Sequence, residues 1–387
     1  TGGTGGTGGT GGTGGTGGTG GLGVSSSAMS SSSSSGMGGA GGSGGSGGGP
    51  TGTIVALAGP SAGGAYFESG TGWTSVPLNF NFSASAIAPR MSGGALAIIR
   101  SLPTANELFW MKWTKAGGFT TPVVVGMDGF AADGPATAPA GVASILSYLG
   151  TNRIHYYAQN DTGNSFGAFT QIPGGNVMDP AFGPKSSTLA SDGTGVYAIY
   201  AGDDSRLYYA FKSGPGGAWG TSTQVPSSMV LNTTRPFAFV DSAMDLRIFY
   251  VRQSDKNICM VKFVTPQNTW TSEEAIASAT TSLQPSAVEL SPSGDIVVAY
   301  HGLLTEGIYF VRGKDGAFSN ISTVEVPPNG TTSSTPVIVN GLSGADADIL
   351  YAAGGKLRHA RVNGTTATPS DVLNFTGVTM VSATVAP

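Results

Sequence analysis

Beyond residue 52 the chain is written in short apolar runs broken by glycine-containing polar turns. One set is rich in β-branched and small apolar residues: TIVALAG (53–59), ALAIIRS (95–101), VASILSYL (142–149), VYAIYAG (196–202), LRIFYVR (246–252), IVVAYHG (296–302) and ADILYAA (347–353). A second set follows each of these and is richer in aromatic and basic residues: AYFES (65–69), ELFWMKW (107–113), RIHYYAQ (153–159), RLYYAFK (206–212), NICMVKF (257–263), GIYFVRG (307–313) and KLRHARV (356–362). Runs of this length and composition predict β-strands rather than helices.

The runs repeat. A turn closed by an aromatic residue ends six of the units, at Trp73, Phe119, Phe169, Trp219, Trp270 and Phe318, with gaps of 46, 50, 50, 51 and 48 residues. With a Pro- or Ser-led run before each pair and a closing run after it, every unit holds four short strands. Four strands in about 49 residues is the signature of a β-propeller blade. Complete units span 84–125, 136–173, 185–226, 235–277, 284–326 and 335–375, which makes six. Residues 53–80 supply three strands of another, and MVSATVAP (380–387) resembles SASAIAP (83–89), an innermost strand. The expected fold is therefore all-β, a seven-bladed propeller closed by its C-terminal strand. Such closure removes the open sheet edges that expose β proteins to association.

Residues 1–50 are a different material, with 25 Gly, 11 Ser and 7 Thr and no charged residue. The chain thus divides into a low-complexity tail (1–50) and a propeller (51–387). The tail has too little apolar surface to offset the entropy of ordering its backbone. Its opening, seven TGG triplets with Thr1, Thr4, Thr7, Thr10, Thr13, Thr16 and Thr19, suits polyproline II or polyglycine II. With three residues per turn, the triplets would span roughly 65 Å and align the threonines along one edge for assembly or O-glycosylation. Seven Asn-x-Ser/Thr sequons begin at Asn81, Asn160, Asn232, Asn320, Asn329, Asn363 and Asn374.

Charge narrows the function. The net charge is −4, and 18 basic residues are scattered without a cluster, so nucleic acid is not an expected partner. No apolar run is long enough for a transmembrane helix. The single cysteine, Cys259, sits between Ile258 and Met260 and reads as a buried structural thiol. The three histidines (His155, His301 and His359) lack metal-ligand spacing, and His155 and His359 read as half-exposed strand residues. No nucleophile elbow, phosphate loop or dinucleotide fingerprint occurs, and the sialidase aspartate box is absent. Neither an enzyme nor a cofactor is expected. Arg100, Arg252 and Arg312 hold similar strand positions and leave open an arginine cluster for an acidic ligand. The repeated aromatics are expected first of all to pack between blades.

Blades of this length, ending in G-x-W/F with L/I-x-Y/F in the preceding strand, resemble the seven-bladed lectin propellers of the Photorhabdus fucose-lectin type and similar secreted bacterial propellers. The resemblance implies sugar sites between blades, on stacking aromatics. Trp73, Trp219 and Trp270 are the positions that would carry them. Two functions follow. The first is a non-enzymatic, extracellular structural protein whose tail contacts neighbouring copies to build a filament, since a contact that does not close generates a fibre. The alternative is a lectin tethered to the cell surface by the tail, with glycans as its ligands.

Overall fold

The computed structural model describes residues 52–387 apart from 61–62, 69–70, 79, 103–105, 127–130, 162, 177–184, 316, 319, 327–333, 343 and 373–374. The threonine triplets and the tail of residues 1–50 lie outside the described residues. Within them, the strands form seven antiparallel sheets, accompanied by a single 3-10 turn at Thr265–Gln267.

Six sheets follow chain order from an innermost to an outermost strand. Their innermost strands are Phe82–Pro89, Ala136–Ala140, Thr188–Ser191, Phe237–Val240, Ser286–Leu290 and Val337–Asn340. The remaining sheet joins the two ends of the chain: Met380–Ala386 pairs with Thr53–Gly59, which pairs with Gly63–Glu68 and then Gly72–Pro77. Its register runs from Thr53 opposite Ala386 to Gly59 opposite Met380, as the sequence predicts for closure by the last strand. The seven innermost strands touch in cyclic order, so the ring is shut. We call the blade holding both ends the first and number the others along the chain. The upper face carries the turns between first and second and between third and fourth strands; the lower face carries the remaining turns and the links between blades.

Both faces of each sheet are covered, which is why the second strands read as unbroken apolar runs. Ile54, Ala56 and Ala58 pack toward the seventh blade, while Val55 and Leu57 pack toward the second. The same period-two division recurs around the ring, and each of the seven junctions has its own apolar cluster.

The outermost strand departs from the sequence expectation. In the second, fifth and sixth blades it is two pieces, both paired to the third strand: Gly118–Phe119 and Val123–Val124, Thr269–Trp270 and Glu274–Thr280, Ala317–Phe318 and Ser322–Glu325. In the fourth, Trp219 makes only a bridge to Lys212 before Thr223–Gln224 resumes pairing. The interruption follows the repeated aromatic, which packs toward the blade before it. Two glycines admit such rings into the first blade. A Cβ on Gly64 would lie 2.5 Å from Phe119 of the second blade, and one on Gly63 would run into Phe375 of the seventh.

Set against the other blades' runs, the third blade's RIHYYAQ is offset by one residue from RLYYAFK. His155 stands opposite Leu149 in the register that Leu207 holds opposite Ala201, so Tyr157, rather than Tyr156, corresponds to Tyr209.

Candidate functional site at the interblade clefts

Each repeated aromatic leaves the outer strand on the upper half of its blade and leans against the preceding blade. Trp219 meets the ring of Tyr157 edge-on at 5.4 Å, and Trp270 meets Tyr209 in the same way at 5.4 Å. Phe318 packs on the fifth blade's cluster and Phe169 on the second's. The expectation that these residues pack between blades holds. The three tryptophans therefore sit at three separate junctions and are not brought together.

They differ in what they present. Trp219 is 8% exposed, and its Nε1–H is buried without an acceptor. Trp270 is half-exposed, braced by Tyr209 and by Phe263 at 5.1 Å. Trp73 is half-exposed as well, and its orientation is fixed by a relay. Its Nε1–H donates to Nδ1 of His359 (3.2 Å), whose Nε2–H donates to the buried Asp348 (2.7 Å). The other Asp348 oxygen accepts from the Leu342 amide at 2.9 Å. The indole donor leaves His359 as the tautomer protonated on Nε2. An Asp–His pair of this kind would orient a general base in a hydrolase, but here the ring's remaining nitrogen is an acceptor for tryptophan and faces no nucleophile.

All three histidines are buried, with His155 at 0% exposure, which corrects the half-exposed reading. His155 packs against Tyr200 with ring centres 4.7 Å apart and the rings tilted, and neither of its ring nitrogens has a hydrogen-bond partner. Burial, and then the charge of Arg235, push its pKa down to about 3, while Asp133 opposes them. Cys259 is buried as expected; burial, followed by the neighbouring Glu273, raises its thiol to about 12. A thiol held protonated is no nucleophile.

Charged groups at the junctions are mostly spent on one another. At the lower half of the fourth–fifth junction, Glu273 accepts from Tyr250, from the Ser228 amide (2.7 Å) and from Arg252 (2.8 Å), while Arg252 also grips Asp255. The sixth–seventh junction repeats the motif, with Glu325 accepting from Tyr351 and Arg358, and Arg358 also holding Asp371. Arg100 is committed to Ser83 and to the Ala132 carbonyl, and Arg312 to Asp295 and Asp346 on the upper half. The three arginines are thus divided between faces, and the arginine cluster left open by the sequence does not form.

Carboxylates from different blades do converge: Asp245 of the fifth and Asp315 of the sixth reach Lys262 at 3.9 and 2.5 Å. Burial raises the Asp315 pKa, yet hydrogen bonds from Arg247 and Lys262 outweigh it and hold the carboxyl ionised. A pair in which one member must donate a proton is not available there. No group of three or more His, Cys, Asp or Glu side chains suited to a metal occurs among the described residues, and no helix among them is long and apolar enough to cross a membrane.

No protein-family model and no curated protein matches this sequence. Solved structures do match its fold. The BP39L lectin from Burkholderia pseudomallei superposes with a TM-score of 0.68 at 13% identity, over 89% of this chain and 99% of that one. The six-bladed lectin of the fungus Aleuria aurantia, described with a fucose recognition mode, gives 0.55 at 15% identity, over 76% of this chain and 97% of its own. That share is about the span of six blades. A polysaccharide lyase of the ulvan lyase type gives 0.53 at 10% identity, over 84% of this chain and 92% of its own. These likenesses establish the propeller fold.

Proposed function

We propose that the protein is a carbohydrate-binding propeller that holds sugars in its interblade clefts without turning them over. The observation that carries this reading is the state of Trp73 and Trp270. Each is a half-exposed indole held by fixed edge contacts from the preceding blade, so a pyranose stacking on it would meet a surface already ordered. Lectin neighbours of the same fold support the reading, and the neutralised carboxylates give no acid–base pair that would favour a lyase. Trp219, closed to solvent, is assigned to packing. The filament reading depends on residues outside the described structure, and the cleft geometry favours binding over it. A lectin of this kind would act outside the cell, where the tail composition also points.

The test is a glycan array followed by calorimetry on the best sugar. Trp73→Ala and Trp270→Ala should each weaken binding about fivefold to tenfold at the affected cleft, the equivalent of about 1–1.4 kcal/mol. Trp219→Phe should leave it unchanged. Saturable binding untouched by both alanine variants, or none to any sugar, sinks the reading.

A further inference from the structure

Four third strands carry a cation at one register: Lys112, Lys262, Arg312 and Arg361, opposite Leu96, Arg247, Val297 and Asp348 of their second strands. At two of the junctions the next blade answers with a carboxylate. Lys262 of the fifth blade receives Asp315 of the sixth at 2.5 Å, and Arg312 of the sixth receives Asp346 of the seventh at 2.7 Å. Arg361 instead donates to the Leu342 carbonyl at 2.8 Å.

The second–third junction breaks this pattern. Among the described residues Lys112 has no carboxylate partner, and the charged group that acts on it is a second cation, Arg90, from the first-to-second-strand turn of the same blade. A Cβ built on Gly163 of the third blade would lie 2.5 Å from an Arg90 Nη and 3.6 Å from Lys112 Nζ, so the two charges meet over one glycine. Gly163 has φ +74° and its amide is tied to Asn160 Oδ1 at 2.6 Å, which holds the loop close without offering a counter-charge. The carboxylate on that loop, Asp161, accepts from Gln159, and its charge acts on Lys212 of the fourth blade. Among the described residues neither side chain of the cation pair reaches a carboxylate. Lys112 lies over the buried Trp110 ring, 5.4 Å from its centre, and its backbone amide is satisfied by Thr120 Oγ1 at 3.0 Å. Both residues are half-exposed on the upper face. Burial and the charge of Arg90 lower the Lys112 pKa, as repulsion without compensation should.

We infer that Arg90 and Lys112, at the second–third junction and apart from the clefts of Trp73 and Trp270, form a further site of the propeller for an anionic substituent, a carboxylate or sulfate, of a sugar chain. The ligand supplies the counter-charge that the sixth and seventh blades supply at their own junctions. The fork of Arg90 and the point charge of Lys112 together match a planar or tetrahedral oxyanion. This rests on the carbohydrate reading above and specifies its ligand class.

The probes are a galacturonic acid tetramer, a sulfated maltotetraose and neutral maltotetraose, titrated at fixed ionic strength so that screening is constant. The expected result is a preference of about tenfold or more for a charged tetramer, abolished in Arg90→Gln/Lys112→Gln and retained in Lys115→Gln. The ranking of the two charged probes identifies the oxyanion. Because the pair gives up no ion pair among the described residues, only the contact of Lys112 with the Trp110 ring, the double variant should melt close to the native protein, which separates lost recognition from lost folding. Failure of both charged tetramers to outbind the neutral one, or a preference that survives the double variant, overturns the inference. If the neutral tetramer still binds through Trp73 and Trp270 in that case, the cleft reading stands alone. The opposite split, in which the double variant abolishes binding and both tryptophan variants spare it, keeps the cation pair and removes the aromatic clefts.

Discussion

His155 occupies a register that five other blades fill with Leu108, Leu207, Ile258, Ile308 and Leu357. An imidazole there gives up hydration at both nitrogens and gains only a ring contact with Tyr200, with Arg235 and Asp133 as its charged neighbours. Since its folded pKa of about 3 is below the unfolded value, the unfolded chain binds the extra proton, and stability falls as pH drops from about 6.5 toward 3. At pH 5 the loss is about 2 kcal/mol, from about 1.5 pH units at 1.36 kcal/mol each. His155→Leu should remove this slope and raise stability at every pH, as denaturant titrations at pH 7 and pH 5 would show; an unchanged pH dependence would contradict the assignment. The sequence displayed the histidine but not its register, because the third blade's run is offset by one residue and only strand pairing reveals which neighbour it replaces. The Trp73–His359–Asp348 relay was equally hidden, since its members lie at opposite ends of the chain and meet only after closure. Cys259 was readable from its apolar neighbours alone.

At the scale of the strand, most of the fold was visible in advance. Second strands are buried on both faces, so hydrophobicity marks them along most of their length, whereas innermost strands such as Thr188–Ser191 are small and mixed and show mainly through the repeat. Outer strands are half-wet and short, and their pairing is interrupted after the aromatic, a detail that composition does not carry. Arg90 and Lys112 illustrate what such a reading misses. They belong to different elements 22 residues apart, and the lack of a carboxylate beside them among the described residues shows only by comparison with the equivalent junctions. Gly63–Glu68 makes the opposite point, since its two leading glycines have a packing purpose that neighbours in space impose. Gly64→Ala would set a methyl 2.5 Å from the Phe119 ring, and overpacking of this sort costs about 1–3 kcal/mol. Chemical denaturation should show that loss with an unchanged dependence on denaturant; no loss would mean that Phe119 moves aside freely.

For the molecule as a whole, stability depends on the last strand. Removing Met380–Pro387 would open two junctions at once, because Val381, Ala383 and Val385 belong to the cluster shared with the seventh blade while Ala386 packs toward the second. It would also leave Thr53–Gly59 as a long, apolar, unpaired edge, the kind that recruits other chains. The truncated protein should elute as soluble aggregates and lose its single calorimetric transition, and a synthetic 380–387 peptide added during refolding should recover part of both. A truncated chain that stays monomeric and melts normally would show that the other six blades close without it. The sevenfold repeat that made the architecture readable says nothing of this dependence, which comes from the first blade being assembled from Thr53–Gly59 and Met380–Ala386.

The same joint determines how the ring would respond to tension. Thr53 and Ala386 are partners at one end of an antiparallel pair, so chain ends pulled apart by attachments on either side would be drawn from the same corner of the upper face. Ladder bonds run across the strands, and a load applied at that corner falls on them one pair after another, from Thr53–Ala386 toward Gly59–Met380, rather than on all of them together. The closing sheet would peel open under such force like a zip.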